Sequence, residues 1–275
     1  MIFNTIMVQL DSGSSAVPRL KFAMELARGF EADLIAFAAE EIEIVVPTGE
    51  ASVIAAELTN QHRMEVEERL RTLKEEFLSI AGGRKHISWR GEIGNPNRLL
   101  AMHGRAADMI VVGGPAADGG ADPRKSVNPG ELILSAGRPV LLASDGLAPL
   151  KAERVLVAWK DAREARRAVA DALPFLVKAK DVLVTTIAEG DQKAARESAA
   201  DVVRFLMRHG AKARSDVLGI GGGDNEVALV EMAREFGADL VVAGGYGHSR
   251  IREWAFGGVT RSLLSEGGFH RLVSN

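Results

Sequence analysis

Short runs of Val, Leu and Ile without polar alternation punctuate this chain, and between them lie stretches whose apolar residues recur at helical spacing. Uninterrupted apolar runs are what strands covered on both faces look like, because neither side of the sheet meets water. They predict strands near 3–10, 33–38, 86–90, 108–113 and 139–143, and again near 154–159, 181–187, 213–218, 239–244 and 269–273. Amphipathic patterns predict helices over Val17–Gly29, Asn97–Arg105, Arg163–Val177 and Asn225–Phe236. A charged helix is predicted over Arg63–Leu78, after an insertion at Glu41–Gln61. Strands alternating with helices imply right-handed crossovers and a parallel sheet. The expected fold class is α/β, with two tandem doubly wound five-stranded parallel-sheet domains of Rossmann-like type.

The doubling is visible in the residues themselves. Ala107-Asp108-Met109-Ile110-Val111-Val112-Gly113-Gly114 returns as Ala238-Asp239-Leu240-Val241-Val242-Ala243-Gly244-Gly245, and Ile6–Asp11 pairs with Val155–Lys160. The expected domains are 1–146 and 151–275, joined at Ser144–Leu150, where Gly146 and Pro149 supply linker punctuation.

Composition narrows the function classes. The 275 residues, 47% hydrophobic, suffice for two ordinary cores. Lys and Arg total 34 against 37 Asp and Glu, a net charge of −3, so no global basic field exists to attract nucleic acid or a membrane surface. The chain has no cysteine, which excludes disulfides, thiolate catalysis and Cys-ligated metals. No apolar run approaches the ~18 residues of a membrane span. The first strand opens without a basic leader and reaches Asp11 early, so a cytoplasmic location is expected.

In open α/β sheets ligands sit at the carboxyl ends of the strands, where the strand order reverses. Asp11, Gly113, Lys160 and Gly244 all fall at such ends. In the second half Gly244 and Gly247 let the chain turn over a ligand. Gly257, Gly258, Val259 and Thr260 would open the last helix with backbone N–H groups and a hydroxyl, a setting for phosphate. The competing reading is that these glycines are ordinary turn and C-cap residues.

Gly244-x2-Gly247-x9-Gly257 resembles the G-x2-G-x9-G-[S/T] signature of the universal stress protein family, in its nucleotide-binding branch. The element order is similar over nearly the whole chain, as in the tandem-domain members. The resemblance implies binding of ATP or a related adenine nucleotide, with Mg2+ as a possible companion, and a stress-response role. By the same resemblance Gly244 and Gly247 face ribose and phosphates, Gly257 begins the phosphate turn, and Thr260 offers a hydroxyl. Adenine is expected against Ala158 and Trp159 and near Thr186 and Ile187, with Ala243 beside it; His248, with Ser249 and Arg250, falls near a γ-phosphate.

Two positions depart from the family pattern. Gly258 stands where Ser or Thr is usual, and Lys160 followed by Asp161 replaces the acidic end of the first strand. Lys160 could approach a phosphate, or Asp161 could take the ribose.

In the first half Asp11 keeps the acidic position, but the glycine spacing after Gly114 is lost. There Asp118 and Asp122 would repel phosphate, while Pro115 and Pro123 have no N–H to give. One nucleotide-competent half and one degenerate half are expected as an intramolecular pseudo-dimer, with a further homodimer open through exposed last strands.

Other chemistry finds less support. Neither G-x-x-x-x-G-K-[S/T] nor an intact G-x-G-x-x-G occurs; Gly219–Asp224 reads as a turn with Asp224 as N-cap, and Ser12 and Ser14 read as helix caps. His62, His86, His103, His209, His248 and His270 lack metal-ligand spacing, and no carboxylate partner marks His248 as a base, so no catalytic residue and no metal ligand is assigned. Trp254 and Phe256, between the glycine clusters, are candidate lid residues. Besides a nucleotide-binding regulator, two functions remain in play: a slow ATPase or kinase-like enzyme at the same site, with Asp161 holding Mg2+ through water, and an interaction module in which neither half binds nucleotide.

Overall fold

The computed structural model of the chain describes residues 2–11, 16–44, 52–114, 122–144, 146, 148–188, 191–219, 225–245 and 268–275. In the first half the strands are β1 (Thr5–Leu10), β2 (Asp33–Glu40), β3 (Ile87–Ile93), β4 (Met109–Val112) and β5 (Val140–Leu142). In the second they are β6 (Arg154–Trp159), β7 (Asp181–Ala188), β8 (Ala213–Gly219), β9 (Leu240–Gly244) and β10 (His270–Ser274). All ten lie in one sheet of order β3-β2-β1-β4-β5-β10-β9-β6-β7-β8. The chain thus writes the same five-strand order twice, each copy mirrored about the β5–β10 seam.

Every pairing within a half is parallel, and the seam alone is antiparallel, with Val273 opposite Val140 and Arg271 opposite Leu142. This corrects one expectation. The last strands of the two halves are not exposed edges open to a further homodimer, because each satisfies the other's backbone groups inside the chain. The outer edges of the sheet are β3 and β8.

Among the described residues the α-helices are α1 (Ala16–Phe30), α2 (Ser52–Ala81), α3 (Pro96–His103), α4 (Pro129–Ser135), α5 (Arg163–Leu176), α6 (Gln192–Arg208) and α7 (Asn225–Phe236). On one face α1, α2, α5 and α6 cover a continuous core that runs through both halves. On the other, α3 and α4 cover the first half and α7 the second. Phe3, Phe30 and Phe175 tie the halves together on the shared face, with ring centroids 5.1 to 5.4 Å apart.

The charged helix starts well before Arg63. It begins at Ser52, inside the stretch expected to be an insertion, because Ala55, Val66, Leu73 and Phe77 continue one buried stripe at helical spacing. The stripe is sparse where the helix begins, with Val53 and Ile54 79% and 66% exposed, so apolar content misleads there about which residues face the sheet.

The repeated Ala-Asp pair has a structural reason. Asp108 accepts hydrogen bonds from the backbone N–H groups of Asn4 and Thr5 at 2.7 and 3.0 Å, pinning the entry of β1 to that of β4. Asp239 does the same for Glu153 and Arg154 at 2.8 and 3.2 Å, pinning β6 to β9. A carboxylate on two strand-entry donors satisfies groups that a sheet end otherwise leaves to water.

Candidate functional site

Within the second half, β6 has β7 on one side and β9 on the other, so the strand order reverses between β6 and β9. The crevice lies above the carboxyl ends of those two strands. Ala158 of β6 stands directly opposite Ala243 of β9 and Thr185 of β7. Ala158 and Ala243 share the face covered by α7, where they make a low shelf at the sheet's end, and alternation along β7 from Leu183 puts Ile187 on the same face. Beside them the Thr185 hydroxyl is buried with no hydrogen-bond partner among the described residues.

Trp159 does not belong to that shelf. As its neighbour in the strand it points to the opposite face, where it is 7% exposed and its indole N–H donates to Ser198 Oγ of α6 at 2.9 Å. Its ring is part of the core beneath α5 and α6. A period of two along the strand separates it from Ala158, and the sequence reading that put both against adenine did not apply that alternation.

Lys160 and Asp161 are exposed at the mouth. Asp161 accepts from Arg166 Nε at 3.1 Å, so its carboxylate is paired with the first turn of α5. Gly244 explains itself by close approach: a Cβ there would stand 2.5 Å from the backbone N of Ala165 and 2.8 Å from the carbonyl carbon of Glu164. The first turn of α5 therefore lies directly on the end of β9. Among the described residues no side chain caps that helix, whose N-cap is Ala162 and whose first turn carries the buried Glu164. Gly245 is committed elsewhere: its N–H donates to the Ser274 carbonyl at 2.8 Å, and its own carbonyl accepts from Asn275 Nδ2 at 2.7 Å. Gly247, His248, Gly257, Gly258, Val259 and Thr260 lie outside the described residues, as do Ser12, Ser14, Asp118, Asp224, Trp254 and Phe256.

The equivalent crevice of the first half, between β1 and β4, is filled differently. The Arg19 guanidinium of α1, 5% exposed, lies over Gly113, where a Cβ would meet its Nη2 at 2.7 Å. Its Nη1 donates to the Gln9 carbonyl at 3.0 Å, to Gln9 Oε1 at 2.6 Å and to Asp11 Oδ2 at 3.0 Å. Asp11, the acidic strand end, thus holds an internal cation. Asp122 bonds Arg124 through both backbone and side chain, and that guanidinium holds its carboxyl below the usual carboxylate range. Sequence reasoning passed over Arg19, although its place on the buried stripe of α1, one residue before Leu20, was the available signal.

The sequence model of the universal stress protein family matches residues 151–267. The second half belongs to this family. No curated protein matches the chain significantly. Among solved structures, a universal stress protein from Archaeoglobus fulgidus is similar over 99% of this chain and 96% of its own, with a TM-score of 0.67 and 14% identity. A functionally unknown protein from Pseudomonas aeruginosa PAO1 is similar over 99% of this chain and 92% of its own, with a TM-score of 0.60 and 15% identity. At such identities the likeness establishes the fold: the whole chain, not just its second half, has the architecture of a double universal stress protein. Among the described residues no helix is long and apolar enough to cross a membrane.

Proposed function

We propose that the universal stress protein domain of the second half binds ATP or a related adenine nucleotide at the β6–β9 crevice. On this reading the first half, 1–146, binds none, and the chain acts as a nucleotide-responsive regulator. The observation that carries it is the contrast between the two equivalent crevices. In the second half an α5 first turn that no side chain caps among the described residues abuts Gly244 beside the Ala158–Ala243 shelf. In the first, a buried guanidinium already paired with Asp11 takes the same place. A helix N-terminus and a low shelf suit an anion carrying a flat ring, whereas an internal ion pair has no vacancy for one.

The residues proposed to hold the nucleotide are Ala158, Ile187 and Ala243 for the base, Lys160 and Asp161 at the mouth, and Gly244, Gly247, His248, Gly257, Gly258, Val259 and Thr260 for ribose and phosphates. Trp159 contributes from behind, by fixing β6 against α6. With Asp161 bound to Arg166, Lys160 is the mouth residue assigned to a phosphate and Asp161 is the one that keeps Arg166 in place.

Isothermal titration of the full chain with ATP tests this. One site per chain is expected, together with a rise in unfolding free energy of about 2.7 kcal/mol at a hundredfold excess over Kd. Gly257→Asp, which puts a carboxylate in the phosphate turn, should abolish both. No heat and no stabilisation at millimolar ATP would overturn the proposal, and two equal sites would overturn the assignment of the first half.

A further inference from the structure

Where the linker crosses from one half to the other it roofs a cleft of about 290 Å3, far from the strand ends just described. Its floor is apolar and drawn from both halves: Phe22, Leu26 and Phe30 from α1, Phe175 from α5 and Leu150 from the linker. Its rim is cationic. Arg28, Lys151 and Lys178 surround it against the single carboxylate of Glu25.

One of these cations is already engaged. Lys178 Nζ donates to the Gly29 carbonyl at 3.4 Å and sits 4.4 Å from the centroid of the Phe30 ring. It satisfies the carboxyl end of α1, whose partial negative charge attracts a cation. Arg28 and Lys151 are exposed, and Lys151 lies close enough to Glu153, whose carboxylate bonds Lys180 at 2.9 Å, to help lower that carboxyl below its ordinary range. Arg28 and Lys151 flank the floor on two sides, one from α1 and one from the linker.

The linker wall is held in position from below. Ala152 is 4% exposed at φ 48°, a left-handed backbone that an alanine adopts only when its surroundings impose it. Upstream, the Ser144 N–H donates to His270 Nδ1 at 3.1 Å, and His270 Nε2 bonds the Ala148 carbonyl at 2.9 Å. The His270 ring in turn stacks on Phe22, with centroids 5.0 Å apart. A tethered linker, a floor of aromatic rings and two exposed cations make a preformed recess rather than a gap between loose parts.

We propose that this inter-half cleft binds a small organic anion with an apolar body, such as an aryl sulfonate, aryl phosphate or medium-chain carboxylate. The body lies on Phe30 and Leu150, with the buried rings of Phe22 and Phe175 beneath, and the charged head lies between Arg28 and Lys151. Such a ligand touches α1, the linker and α5 at once, so its binding couples the two halves. The site is independent of the nucleotide crevice.

Fluorescence titration of the full chain with anilinonaphthalene sulfonate is the test, with fold monitored by circular dichroism. Saturable binding at one site per chain is expected, displaced by octanoate but not by octanol at the same concentration, and not by ATP. The exposed double variant Arg28→Glu/Lys151→Glu should weaken binding by about tenfold or more. Lys193→Glu, an exposed charge change on α6, should leave it unaltered. Absence of saturable binding, equal displacement by octanol, displacement by ATP, or an unchanged Kd in the double variant would each overturn the proposal.

Discussion

Gly244→Ala isolates the contact on which the second crevice is built. The added Cβ would stand 2.5 Å from Ala165 N and 2.8 Å from Glu164 C, against 3.4 Å for ordinary contact, so a gap of about 0.9 Å must open between β9 and α5. Two of the three nearest obstacles are backbone atoms of a helix whose Ala165, Ala168, Val169 and Ala172 are buried, and neither can rotate away; the third is Glu164 Cγ at 2.8 Å. Overpacking a closed core costs about 1–3 kcal/mol, and an immovable backbone places this case at the upper end. Reduced freedom of the unfolded chain returns about 0.4–1 kcal/mol, leaving a net loss near 2 kcal/mol.

Two other glycines calibrate that figure. At Gly245 a Cβ would meet Val273 Cγ1 at 2.8 Å and Ile133 Cγ2 at 2.9 Å, methyl groups that can yield, so Gly245→Ala should lose about 1 kcal/mol. Gly29, in α1, has nothing within 4 Å of its Cβ position, and Gly29→Ala should gain about 0.5–1 kcal/mol. Urea denaturation followed by circular dichroism reads all three. A Gly244→Ala protein within about 0.5 kcal/mol of the parent would refute the reasoning, since a substitution without consequence belongs at uncrowded surface positions. A rank order other than Gly29, Gly245, Gly244 would refute it equally.

Further outcomes follow from the seam and the strand entries. Burial, with Arg271 adding to it, pushes His270 below its ordinary value of 6.5 against the opposing pull of the Ala148 carbonyl and Asp239. The unfolded chain therefore takes up a proton before the folded one does, so the stability that His270 provides is complete above pH 6.5 and declines as pH falls below it. The decline approaches about 1.4 kcal/mol per pH unit for one proton. His270→Gln should flatten that part of the pH–stability curve relative to the parent, and identical slopes would refute the assignment. Asp108→Ala and Asp239→Ala each release two strand-entry N–H groups, and each should cost about 1–3 kcal/mol by the same denaturation assay. A large effect from one and none from the other would show that the two copies of the repeat do not do equal work.

The strands and helices were largely legible because their cause is local. β6 and β9 appear in the residues as unbroken apolar runs, since helices cover both faces of the sheet. α7 runs Asn225–Phe236 as its pattern predicts. The start of α2 is not legible in the sequence, because one buried residue per several turns leaves too faint a periodicity. At the site, the position of Gly244 at a strand end was readable, but the direction of Trp159 required its strand alternation to be tied to a particular face.

Sequence by itself thus determined the repeat, the alternation of strands and helices, and the strand-end placement of Gly113, Gly244, Asp11 and Lys160. These depend on periodicity and on residues near one another in the chain. Only the tertiary structure decided that the last strands close on each other across 126 residues from Ser144 to His270, and that Arg19 fills one crevice while the α5 backbone borders the other. The physical reason is that each of these outcomes is a contest for the same space or the same hydrogen-bonding groups between segments remote in the chain. Which segment wins depends on the geometry of the assembled sheet, and no local pattern carries that geometry.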